Sequence, residues 1–140
     1  MSRIGRRIAF DYGDVRIGVA VCDPDGILAT PLTTLQSKDP ALKKQIAGLI
    51  DEYEPRKIYV GQPKLLSGEV GSAVAKVLVF TEMLTSNFDI PIVLVDERLS
   101  TVSAAKQLRE SGVNAKDARS VIDAAAAVAI LEQGLANERK

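Results

Sequence analysis

The first third of the chain alternates apolar and polar positions with a period of two, which is typical of β-strands. Two turn signals interrupt it: Gly13–Asp14, where glycine is free to adopt a positive φ, and Asp23–Gly26, where Pro24 presets φ. Because short turns join antiparallel neighbours, we expect these strands to form a meander. The predicted strands cover residues 7–12, 15–22 and 27–35.

From residue 39 the apolar period becomes that of a helix. Asp39 is the predicted N-cap before Pro40, and Pro55 ends this helix. The run Pro91–Val95 has no polar face, so we predict a strand that is buried on both sides. Ser100 caps a further helix, which Gly112 ends. The remaining predicted elements are a strand over 57–61, a helix over about 70–84 and a last helix from 117 to about 134.

This order, three strands followed by an αβαβ segment and two helices, predicts one α/β domain over residues 1–140. We expect a five-stranded mixed sheet, with an antiparallel meander and then parallel crossovers, and with helices on both faces.

The chain of 140 residues carries 18 basic and 18 acidic residues, which is an ordinary globular composition. It has no window of 18 uncharged apolar residues and no apolar signal core near its first residue, so we expect a cytoplasmic protein without a membrane span.

The chain has no histidine and a single cysteine, Cys22. This excludes a Ser-His-Asp or Cys-His mechanism and a cysteine-based zinc site. Any catalysis must use carboxylates, lysine, tyrosine, a metal ion or bound water.

Acidic residues stand at three positions where an acid is unexpected. Asp11 ends the first strand on the same face as the small residues Ala9 and Gly13. Asp96 and Glu97 follow the apolar run at a carboxyl end where α/β sheets bind ligands. Asp123 is the one charge in an apolar helical stretch, where a carboxylate is costly unless it is paired or bound to a metal.

Each acid also has a purely structural interpretation: a turn residue, a solvated strand exit or a partner for an arginine near a helix start. One site could nevertheless unite them, because a helix crossing the carboxyl end of the sheet would add a third acid. Three carboxylates and one phosphodiester balance two Mg²⁺ ions. Hard Mg²⁺ or Mn²⁺ prefers such oxygen ligands.

Four segments together resemble the bacterial YqgF (RuvX) family of Holliday junction resolvases, also described as the nucleases that trim precursor 16S ribosomal RNA. The resemblance extends from about Arg6 to Leu135. Its segments are Ile8–Ala20, Gly61–Gly71, Val95–Thr101 and Val121–Val128.

The resemblance implies a ribonuclease H-like fold and a two-metal nuclease with Mg²⁺ or Mn²⁺. It implies that Asp11, Glu97 and Asp123 are the metal-binding acids, which selects Glu97 over Asp96. It also implies that Arg16 and Arg98 contact phosphate or order these acids.

Contacts to a nucleic-acid backbone require cations. Since the chain has no tryptophan and few other aromatic residues, we expect recognition of backbone and shape in structured RNA or branched DNA. The protein would act as a monomer or, on a four-way junction, as a homodimer. The candidate cations are Arg3, Arg6, Arg7, Arg16, Lys64, Arg98, Lys116 and Arg119.

Two alternatives remain open at this point. One is a nucleic-acid-binding module of the same fold without useful turnover. The other is a nucleotide-binding ATPase of the actin and Hsp70 type, because Asp11 and Gly13 before a hairpin resemble a phosphate loop. Such ATPases need two lobes, and 140 residues supply one.

Overall fold

The computed structural model describes residues 5–62, 72–96 and 116–138, without the side chains of 72–73 and 116–123. The predicted helix from Ser100 to Gly112 lies outside these residues. The described elements are the strands β1 (Arg7–Tyr12), β2 (Arg16–Cys22), β3 (Ala29–Gln36), β4 (Lys57–Gln62) and β5 (Ile92–Asp96), and the helices α1 (Leu42–Tyr53), α2 (Ser72–Asn87) and α3 (Lys116–Glu138).

The strands form one mixed sheet in the order β3-β2-β1-β4-β5. Strands β1, β2 and β3 are paired antiparallel, whereas β1–β4 and β4–β5 are parallel. The predicted meander and mixed sheet are therefore confirmed. Strand β1 is the central strand, so its two ends are flanked by neighbours on both sides.

Each face of the sheet supports its own hydrophobic core, as the alternation of β1 requires. Ile8 and Phe10 pack with residues of α1 and α2, and the Phe10 and Phe80 rings meet edge to face with centroids 5.6 Å apart. Ala9 points to the opposite face, beneath α3. Helices therefore cover both faces, as predicted. The fully buried residues of α3 that pack on this face are Ala127, Ile130 and Leu131.

Two elements begin later than the sequence pattern predicts, because aspartate side chains hold the preceding turns. Asp23 Oδ1 accepts the amides of Ile27 (2.7 Å) and Leu28 (3.0 Å), so β3 begins at Ala29. Asp39 Oδ1 accepts the amide of Ala41, which is the N-cap residue, so α1 begins at Leu42. The helix ends before Pro55, as predicted, with Glu54 in the left-handed region (φ 47°).

Strand β5 corrects the prediction that this run is buried on both sides. It lies at the edge of the sheet rather than between two strands. Val93 and Leu94, on opposite faces, are 39% and 36% exposed, whereas Val95 is buried. An apolar run therefore indicated the parallel strand correctly but not its position in the sheet. Across the described ranges, no helix combines the length and apolar character that a membrane span requires.

Candidate nuclease site

Asp11 lies at the carboxyl end of the central strand β1 and is 2% exposed. Its register partner on β2 is Gly18. On the same face, Ala9 precedes it by two residues, so the carboxylate has small neighbours along and across the strands. The small neighbours agree with the sequence pattern, and the prediction that a ligand binds beside the Asp11 carboxylate stays a prediction.

Gly13 follows Asp11 in the β1–β2 connection, and its role differs from the one predicted. Its φ is not positive; Gly5 and Gly26 are the glycines with positive φ among the described residues. A Cβ at Gly13 would lie 2.7 Å from the carbonyl oxygen of Arg16. Glycine is required here by a close backbone approach. Ser37 Oγ donates to the carbonyl of Gly13, and the Ser37 amide donates to Val15 (2.9 Å), which ties this connection to the end of β3.

Asp96 ends β5, with Gln62 of β4 as its register partner. Val95 belongs to the core beneath α3, on the same face as Ala9 and Asp11. Side chains alternate along a strand, so Asp96 lies on the opposite face of the sheet from Asp11. The neighbouring acid Glu97, which the resemblance selects, lies outside the described residues.

The third predicted acid, Asp123, is in helix α3, and its side chain is not described. Its position shares a helical stripe with Ala126, Ala127 and Ile130, which are fully buried. Position 123 therefore belongs to the helix that covers the face of the sheet on which Asp11 lies. The side chains of Arg98 and Arg119 lie outside the described residues, so their predicted roles remain predictions.

The donor atoms at this end of the sheet suit a hard metal ion. A carboxylate is a preferred ligand of Mg²⁺ and Mn²⁺, and Asp11 supplies one that is shielded from bulk water. Within the described ranges, no three acidic, histidine or cysteine residues form a metal-binding group. The Asp11 position suits a hard cation, and the remaining ligands would come from outside those side chains.

Cations flank the same end of the sheet. Arg16 begins β2, two residues from Gly18 and therefore on the Asp11 face. Lys76 of α2 forms an ion pair with Asp14, with 2.7 Å between Nζ and Oδ1. The Lys76 hydrogen bond, aided by Lys38, keeps the pKa of Asp14 below its usual value. Sequence reasoning missed Lys76 and Lys38, because no local pattern joins residues that are 62 positions apart.

Arg7, one of the predicted backbone-contacting cations, has a structural role instead. It lies at the amino end of β1 with 7% exposure, and its Nη2 is 3.0 Å from Glu138 Oε2. Glu138 Oε1 also accepts bonds from Lys57 Nζ and the Tyr59 hydroxyl, both at 2.6 Å. Burial alone would raise the pKa of Glu138, but bonds from Lys57, Tyr59 and Arg7 lower it to about 2. The Arg7 side chain is therefore buried and ion-paired, and it does not contribute to a cationic surface for nucleic acid.

A family model described as "RuvX: Holliday junction resolvase" matches residues 5–137. A Streptomyces coelicolor protein named "Putative pre-16S rRNA nuclease" is 54% identical over 139 residues, which cover 98% of this chain and 83% of that protein. A Rhodococcus opacus protein of the same name is 53% identical over 142 residues, covering 96% and 79%.

Solved structures of low sequence identity share the fold. Thermus thermophilus RuvC in complex with Holliday junction substrate superposes with a TM-score of 0.61 at 15% identity, covering 96% of each chain. The Fowlpox virus resolvase in complex with Holliday junction DNA gives 0.58 at 9% identity, covering 96% and 99%. The sheet order and these likenesses confirm the predicted ribonuclease H-like architecture.

Proposed function

The chain belongs to the RuvX family of Holliday junction resolvases, and on that basis we propose that it is a metal-dependent nuclease for structured nucleic acid. Its reaction is hydrolysis of a phosphodiester bond. The relatives that carry the pre-16S rRNA nuclease name support maturation of the 5′ end of precursor 16S rRNA as the task. The family description supports cleavage of branched DNA by the same site.

The observation that carries this proposal is the position of Asp11. It is a 2%-exposed carboxylate at the carboxyl end of the central strand, with Gly18 opposite and Ala9 beside it. The carboxyl ends of parallel strands are where α/β sheets bind their ligands. A carboxylate at this place offers the oxygen ligands that Mg²⁺ and Mn²⁺ prefer.

We assign Asp11, Glu97 and Asp123 as the acids that hold Mg²⁺ or Mn²⁺. Of Asp96, which ends β5, and Glu97, which follows it, we choose Glu97, because Asp96 lies on the face away from Asp11. When bound, the metal ions activate water and stabilise the developing charge on the leaving oxygen. The protein's own part would be to hold the ions, with Asp11, Glu97 and Asp123 as the carboxylate ligands.

Arg16, Arg98 and Arg119 are our candidates for contacts to phosphate. Arg16 has the best-supported position, since β2 places it on the Asp11 face. Such contacts track the backbone and carry no base sequence, which suits a substrate recognised by shape. Cleavage of precursor rRNA would take place in the cytoplasm, by a monomer; a four-way junction would require a homodimer.

The test is cleavage of a precursor 16S rRNA 5′ fragment and of a four-way DNA junction by wild type and Asp11→Asn in Mg²⁺. The substitution keeps the shape of the side chain and removes its charge. We expect the cleavage rate to fall by at least about a hundredfold, because even the loss of a group that only orients a metal ligand costs about 10- to 100-fold. Equal rates in the two proteins would reject the site.

Asp51→Asn is the matched control, because it makes the same change at an exposed position of α1 on the other side of the sheet. It should cleave like wild type. A binding module without turnover predicts a different result: substrate binding that EDTA leaves unchanged, and no cleavage with any metal. The two substrates, run side by side, also decide between RNA and DNA.

A further inference from the structure

The carboxyl-terminal end of α3 is fastened to the sheet at the end opposite Asp11. Glu138 accepts bonds from Arg7 (3.0 Å), Lys57 (2.6 Å) and the Tyr59 hydroxyl (2.6 Å). These three donors come from β1 and β4, two neighbouring parallel strands. One carboxylate therefore joins the last turn of the helix to two strands of the sheet.

A second contact acts one turn earlier. Gly134 lies directly on the ring of Tyr59, since a Cβ at this position would be 2.7 Å from Cδ2 and Cε2 and 2.8 Å from Cγ. Tyr59 is 1% exposed, and its hydroxyl is bound by Glu138 of the same helix. The ring cannot swing aside without breaking that bond. Gly134 and Glu138 together determine the height of α3 above β4 and its position along the sheet.

We infer that Gly134 and Glu138 are positioning residues for the candidate metal site, acting through the helix that carries Asp123. This rests on the proposed function. Helix α3 is continuous from residue 116 to 138, so it moves as a rod. Position 123 is about 16 Å along the axis from Gly134, and a shift at the fastened end is transmitted to it. Misplacement by about 1 Å is enough to impair a catalytic geometry.

The experiment measures Mn²⁺ binding by the electron paramagnetic resonance signal of unbound Mn²⁺, at a temperature at which circular dichroism shows every variant folded. We expect Gly134→Ala and Glu138→Gln to weaken Mn²⁺ binding by about three- to tenfold. The concentration of Mg²⁺ that gives half-maximal cleavage should rise in parallel. A role confined to stability would lower the melting temperature and leave both quantities unchanged.

Matched controls make the same chemical changes elsewhere. Gly48→Ala adds a methyl group in α1, where nothing lies within 4 Å of it, and Glu132→Gln removes a charge from an exposed position of α3. Both should bind Mn²⁺ like wild type. A double-mutant cycle adds a sharper test: in a Tyr59→Leu background the ring is gone, so Gly134→Ala should have little further effect. Equal effects in the two backgrounds would overturn the assigned contact.

If Gly134→Ala fails to fold, Glu138→Gln and Tyr59→Phe decide the question, since Tyr59→Phe removes only the hydroxyl donor. Wild-type Mn²⁺ binding in both would overturn the inference. Failure of the proposed function is recognised separately: Asp11→Asn would then bind Mn²⁺ and cleave like wild type. Loss of Mn²⁺ binding in Asp11→Asn, with wild-type binding in Gly134→Ala and Glu138→Gln, refutes only the positioning role.

Discussion

At the scale of single residues, two carboxylates at opposite ends of the sheet are stabilised in different ways. Glu138 is surrounded by donors from Arg7, Lys57 and Tyr59, and they lower its pKa. Asp11 is buried at the end of a strand among small neighbours. The first belongs to a structural ion-pair network, and the second is the residue on which the proposed metal site depends.

The network around Glu138 predicts a loss of stability in acid. The pKa of Glu138 falls from its ordinary 4.5 to about 2 in the folded protein, so its stabilisation is present above about pH 4.5 and lost as the pH falls through 2. Glu138→Gln should lose about 1–2 kcal/mol of unfolding free energy at neutral pH, after allowance for solvent screening. Urea denaturation at several pH values measures both effects.

The contrast with an exposed acid provides the check on this prediction. Glu132→Gln on the same helix should leave the free energy of unfolding almost unchanged at every pH. A variant at Glu138 that kept the wild-type loss of stability between about pH 5 and pH 2 would contradict the assignment.

At the scale of elements, the helices α1 and α3 each contain a glycine, and the surroundings of the two glycines are opposite. Gly48 of α1 has open space around its missing Cβ, so nothing in the structure explains the glycine. Gly134 of α3 allows the helix to rest on the Tyr59 ring. Helix α3 gains close packing on the sheet from a residue that is otherwise unfavourable in a helix.

These environments predict stability changes of opposite sign. Gly48→Ala should raise the unfolding free energy by about 0.5–1 kcal/mol, because alanine is the better helix former. Gly134→Ala should lower it by about 1–3 kcal/mol, since the added methyl group collides with a buried ring. Thermal and urea denaturation of the two variants measure the difference, and a gain in stability for Gly134→Ala would contradict the close approach.

At the scale of the whole molecule, the two faces of the sheet differ. The face beneath α1 and α2 is a conventional apolar core, whereas the face beneath α3 also carries charged groups, with Asp11 at one end and the Glu138 network at the other. In the proposed site, α3 brings a second carboxylate, Asp123, toward this face. Without metal ions the proposed acids repel one another, so the arrangement costs the apoprotein stability.

Asp123→Asn should therefore stabilise the metal-free protein by relieving that repulsion, and should remove stabilisation by added Mg²⁺ or Mn²⁺. Melting temperatures with EDTA and with each metal measure both effects. If Asp123 is instead the partner of an arginine, the substitution will cost about 1–3 kcal/mol in EDTA. The sign of the change distinguishes the two roles.

Much of this architecture is predictable from the sequence. The strands β1, β2 and β4 and the helices α1 and α2 show clear periodicity. The position of β5 at the sheet edge is not predictable, since an apolar run does not tell which neighbours a strand has. Asp11 stands out by its small neighbours. The bonds of Glu138 cannot be anticipated, because they join residues up to 131 positions apart.

Because the bonds of Glu138 join residues that are far apart in the sequence, they form late in the synthesis of the chain. Arg7 and Tyr59 emerge from the ribosome early, but the carboxylate that binds them is residue 138. Until then the face of the sheet beneath α3 is uncovered, and chaperones bind such exposed apolar surfaces. The bonds that hold the end of helix α3, and with them the proposed site, therefore form only after residue 138 has been translated.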